Sequence, residues 1–147
     1  PPGSALPPWS ALALAVGAFV GSLLLFSLAR RGVGQQALGR ARVLPLALAA
    51  VAMVSGFGLL LRAMLDAGLH PSSSGWAASL AALLSYLGFH VVLQVLVGGY
   101  LAARVWHGLV TPQQRATLDN VTLLWWGGAG HGIVVTLLGP VVAALMG

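Results

Sequence analysis

The sequence predicts an all-α membrane protein, a bundle of four transmembrane helices with the N-terminus and the C-terminus both on the outer side. Three observations predict it. Of the 147 residues 59% are hydrophobic and only 6% charged, too little polar surface for a water-soluble domain of this length. The apolar residues fall into four stretches, each long enough to cross a hydrocarbon layer of roughly 30 Å. The cationic residues are seven Arg and no Lys, and most of them lie in the connections of one side. With no break in composition, residues 9–147 read as a single membrane domain.

Residues 1–8 form a Pro-rich linker, because each Pro removes an N–H donor and biases its predecessor toward extended backbone. Together with the absence of an initiating Met, this start suggests a processed chain or one piece of a longer polypeptide. Helix one is expected over about 9–29, where 21 residues carry no charge. Helix two is expected over 43–66, with Arg62 near its end, from where a long side chain reaches the interface. Helix three, over 76–106, exceeds a perpendicular span and is expected to tilt or project. Helix four, over 118–146, carries Pro140 in its last third, where a kink or a lost hydrogen bond is expected.

Six Arg flank one side of this arrangement (Arg30, Arg31, Arg40, Arg42, Arg104 and Arg115), against Arg62 alone on the other. The positive-inside rule then turns both termini outward. Between helices three and four, Thr111-Pro112-Gln113-Gln114 has the form of a capping box and predicts a short surface helix carrying Arg115.

The charge pattern gives no basic face interleaved with aromatics, so nucleic acid is not expected as a partner. The chain has no Cys, which removes disulfides, thiolate metal sites and thiol nucleophiles. No paired carboxylates, activated Ser or phosphate-cradling loop is present, so no catalytic constellation is expected.

His90 and His131 are the residues that point to chemistry, because an ionisable group at mid-membrane marks a functional or specifically partnered position. His90 lies 14 residues from Arg104 and His131 lies 12 from Asp119, so on antiparallel helices the two imidazoles approach a common depth. That permits bis-histidine ligation of haem b, with Gly127, Gly128, Gly130 and Gly132 leaving room for a flat macrocycle. The plainer alternative is a neutral His90 bonded to Gln94 one turn away or to a backbone carbonyl, with His131 meeting a polar group on a neighbouring helix. Gly17 with Gly21 and Gly128 with Gly132 have the spacing of helix-packing seams. Trp9, Trp76 and Trp106 fall at span ends as interfacial anchors, while Trp125 and Trp126 sit further inside helix four as lipid or partner contacts.

Gly88-Phe89-His90 resembles the signature of the cytochrome c oxidase subunit III family, which carries a Gly-Phe-His-x-x-His run in a membrane helix; here Leu93 replaces the second His. The order of the surrounding elements is also similar. A Pro-led helix ends at the basic loop Arg30-Arg31-Gly32, and a Ser/Gly-rich turn precedes the His helix. A Thr-Pro loop then leads into an aromatic last helix. The likeness covers nearly the whole chain and corresponds to the last four helices of a seven-helix subunit, in a diverged or fused form. The family's Trp-His-Phe-Val-Asp run becomes Trp125-Trp126-Gly127-Gly128-Ala129, so its His and Asp are absent, and only His90 and Trp125 carry over.

The resemblance implies an accessory, non-catalytic subunit that packs against catalytic subunit I and subunit II of an oxidase complex and binds membrane lipids. It would hold no cofactor itself, with haem and copper in the catalytic partner, and it would lie in the bacterial cytoplasmic membrane. A membrane anchor of another redox complex is a further alternative that the composition allows.

Overall fold

The computed structural model describes residues 6–31 and 39–146. Among these it contains four α-helices, a 3-10 turn at Arg40–Arg42 and no strand. The helices are α1 (Trp9–Arg30), α2 (Val43–Asp66), α3 (Gly75–Trp106) and α4 (Ala116–Met146). All four are long and apolar enough to cross a membrane. At 1.5 Å per residue, the 32 residues of α3 and the 31 of α4 extend to about 48 and 46 Å, well beyond the hydrocarbon layer.

Local chemistry sets the helix ends. Ser74 caps α3, its hydroxyl accepting from the Ala77 amide at 3.1 Å, which satisfies one of the orphan donors of the first turn. α2 and α3 both stop at a glycine with positive φ, Gly68 at 74° and Gly108 at 70°. At the first, the Gly68 and Leu69 amides donate back to the Leu65 and Met64 carbonyls; at the second, the Gly108 and Leu109 amides donate to Val105 and Arg104. These are paired Schellman closures, and the left-handed backbone they need is strained for a residue with a Cβ.

One local expectation changes. Residues Thr111 to Arg115 form a turn and not a short helix, the Gln114 amide meeting both the Thr111 carbonyl and its hydroxyl. These bonds close a single turn, and Arg115 then leads into α4, its carbonyl accepting from the Asp119 amide. α4 runs on through Pro140 to Met146, so the proline leaves the Thr136 carbonyl without its intrahelical donor but does not end the helix.

The helices form an antiparallel ring: α1 packs on α2 and α4, α3 packs on α2 and α4, and α2 and α4 also meet across the diagonal. One end of the bundle holds Pro8, the Ala67–Ser74 turn and the end of α4; it is called the terminal end below. The opposite, arginine end holds Arg30, Arg31, Arg40, Arg42, Arg104 and Arg115 with Asp119. Asp119 accepts from Arg115 Nε at 2.9 Å and faces Arg30 at 3.9 Å, tying α1 to the start of α4. At the terminal end Arg62 and Asp66 pair along one helix face at 3.2 Å. The net charge of the chain therefore resides at the arginine end.

Large apolar side chains such as Leu14, Leu24, Val51, Phe89, Leu96 and Leu123 point outward on all sides, which suits hydrocarbon and not water as the surrounding solvent. Inside, close approach is set by one aromatic ring. Phe19 of α1 lies where side chains on Gly56 of α2 and Gly132 of α4 would otherwise stand. Gly17 and Gly21 open onto free space, so the seam expected at them is not formed among the described residues. The glycines that matter to α1 lie on its neighbours, because the bulky residue rather than the small one sits on α1.

Candidate functional site

The interior of α4 holds two polar clusters nearly two turns apart. The first is centred on Trp125, which is 1% exposed and so is neither a lipid nor a partner contact. Its indole N–H donates to Ser22 Oγ of α1 at 2.9 Å, and that hydroxyl donates to the Ala49 carbonyl of α2 at 2.7 Å. The ring stacks on Phe26, centroids 4.9 Å apart and planes within 15°, and its far edge fills the place of a side chain at Gly98 of α3. One tryptophan thus joins four helices, with its only donor satisfied, as a buried indole requires. Trp126 faces outward.

Gln94 of α3 lies beside this cluster and is fully buried. Its amide Nε2 donates to the Leu124 and Trp125 carbonyls of α4 at 3.2 and 3.3 Å. Gly128 makes this possible: with no side chain there, Gln94 lies where a Cβ would stand. Gln94 therefore spans helices and does not bond His90, which corrects the expected partner. Gln94 Oε1 has no partner among the described residues.

The second cluster is the pair singled out from the sequence. His90 and His131 are half-buried, at mid-length of α3 and α4, and their ring centroids lie 6.4 Å apart. Tyr86, one turn before His90, presents itself edge-on to both, at 4.5 Å from His90 and 5.1 Å from His131. Sequence reasoning missed Tyr86, although its four-residue spacing from His90 was the available signal. His90 Nδ1 and His131 Nε2 are shut off from the surface and have no hydrogen-bond partner among the described residues. His70 and His107 lie exposed at loop edges.

The three centroid distances place the Tyr86 ring beside the midpoint of the line joining the imidazoles. A macrocycle held between two axial imidazoles would occupy that position, so this arrangement does not fit a haem. Of the glycines expected to make room for one, Gly128 gives its space to Gln94 and Gly132 gives its space to Phe19, while Gly127 and Gly130 face open space. No group of three or more metal-ligating side chains occurs among the described residues.

Four apolar helices, joined through interior polar contacts, define the class of this protein as a helical integral membrane protein. No protein-family model, curated protein or solved structure matches the chain.

Proposed function

We propose that this chain is an accessory, non-catalytic membrane module of a haem-copper terminal oxidase, of the cytochrome c oxidase subunit III type. It lies in the bacterial cytoplasmic membrane with the arginine end inside and both termini outside, packs against subunits I and II, and binds lipid. The observation that carries the reading is the Gly88-Phe89-His90 run at the centre of α3. Gly88 receives the ring of Phe57 from α2, and His90 faces His131 of α4 beside Tyr86 of its own helix, so the run sits at the level where three helices meet. Trp125, the other residue carried over from the family pattern, is committed to holding the helices together.

The role that follows is mechanical. A wall of prearranged helices fixes the outer helices of a catalytic partner and shields that partner's polar residues from lipid. Gly17 and Gly21, open on the outer face of α1, give a partner helix a place to approach closely. Six Arg at one end against one at the other support this orientation.

The test is recovery of the tagged chain from its own membrane in mild detergent. Co-purification with a larger subunit whose spectrum shows haem and copper supports the proposal. Recovery as a homo-oligomer without either contradicts it.

A further inference from the structure

We infer that His90 and His131, with the ring of Tyr86 beside them, form a site for one soft monovalent metal ion, copper(I), bound between the two imidazoles. The inference rests on the packing of α3 against α4 and stands apart from the oxidase reading, which assigns this chain no cofactor.

Unpartnered nitrogens are the first ground. His90 Nδ1 and His131 Nε2 are closed off from the surface, and neither has a hydrogen-bond partner among the described residues. A buried polar atom left bare costs free energy, so two of them in one cluster call for a group that joins them. Gln94, the nearest polar side chain along α3, is no such group, because its amide is turned to the Leu124 and Trp125 carbonyls.

Spacing is the second ground. Two imidazoles facing each other across one ion, with about 2 Å from metal to each nitrogen, have ring centres about 6 Å apart. A direct N–H···N bond, with nitrogens about 3 Å apart, would draw the ring centres to about 5 Å. The observed 6.4 Å matches the first arrangement and not the second. The Tyr86 ring centre, 4.5 and 5.1 Å from the two imidazoles, lies nearer to their midpoint than to either ring. That position bars a macrocycle but brings an aromatic ring within reach of a bare cation.

Ligand count and charge select the metal. No group of three or more His, Cys, Asp or Glu side chains that could hold an ion occurs among the described residues, whereas zinc takes at least three protein ligands and magnesium and calcium take oxygen. Asp66 and Asp119 lie at the two ends of the bundle, each paired with Arg, so no carboxylate offsets a double charge at mid-membrane. Copper(I) carries a single charge, accepts imidazole ligands and is satisfied by two donors in a line. Tyr86 is exposed on α3, so the site lies one side chain below the surface and an ion reaches it without crossing the bundle core.

The experiment uses the full chain in detergent micelles under reducing, oxygen-free conditions, with copper(I) supplied as its complex with a coloured chelator. The wild type should take one copper(I) per chain, with an X-ray absorption spectrum of two nitrogen neighbours. His90→Leu and His131→Leu should each weaken binding by at least about a hundredfold, more than the loss of an outer partner of a ligand costs. His70→Leu and His107→Leu, at exposed loop edges, should bind as the wild type does. Tyr86→Phe keeps the ring and should bind normally, and Tyr86→Ala should weaken binding by about threefold. Silver(I) should compete and zinc(II) should not. Copper(I) should also raise the denaturation midpoint of the wild type and leave that of the two Leu variants unchanged. No uptake beyond that of empty micelles, uptake that survives loss of both His90 and His131, or zinc bound as tightly as copper(I) overturns the inference. A loss in Tyr86→Phe as large as in the His variants makes the phenol a ligand and overturns the two-imidazole site. Should the Leu variants not assemble, the wild-type spectrum decides, and sulfur neighbours or more than two nitrogens overturn the assignment.

Discussion

Trp125 and His131 sit six residues apart on one helix, and their surroundings differ in kind. At the Trp125 level the indole N–H and the Ser22 hydroxyl are each bonded, a carbonyl of α2 is engaged, and an aromatic stack fills what remains. At the His131 level two imidazoles and a phenol meet ring against ring, and two buried nitrogens have no partner among the described residues. In lipid, helices gain little from burying apolar surface against each other, so bonded polar groups and close packing hold them together. The difference teaches that the first level is where this fold is made and that the second adds little to its stability.

That contrast is open to breaking. Trp125→Ala removes the stack, the Ser22 bond and the group filling the Gly98 recess. It should lower stability by about 3 kcal/mol, at the low end for buried aromatic truncation because lipid and not water is the outside phase, as read from denaturation in mixed micelles. Gly128→Val puts branched carbons where Gln94 lies and should cost about 2 kcal/mol by pushing α3 from α4. His131→Leu removes no hydrogen bond formed among the described residues and should fall within about 0.5 kcal/mol of wild type; a larger loss would show that Nε2 finds a partner in the membrane. Gly17→Leu, which meets open space, should change the stability of the isolated chain least. Comparing that variant within a complex would then reveal whether α1 is an external contact.

The spans were legible in the sequence because length and apolarity in a bilayer are nearly sufficient to fix a helix. Starts and stops agreed closely for the same reason, although the Schellman closures at Gly68 and Gly108 were hidden among 20 glycines. The depth match of His90 and His131 followed from counting residues along antiparallel helices. What was not legible depended on rotation about the helix axes. Trp125 and Trp126 are neighbours in sequence, and only the angular position of Ser22 and Phe26 decides which turns inward. Gln94 lies one turn from His90, yet bonds α4, because the bare backbone at Gly128 brings two carbonyls within its reach. Gly17 and Gly21 have packing spacing but face outward, and a four-residue interval alone does not say which side of a helix its neighbours occupy.

Four crossings put alternate connections on opposite sides of the membrane, and the proposed orientation puts the arginine end inside. The chain has no native Cys, so single cysteines test this directly in intact cells with a membrane-impermeant maleimide. Ser73→Cys should label from outside, and Gln113→Cys only once the membrane is opened. Labelling of both from the same side would contradict the crossing pattern, and the reverse assignment would contradict the orientation.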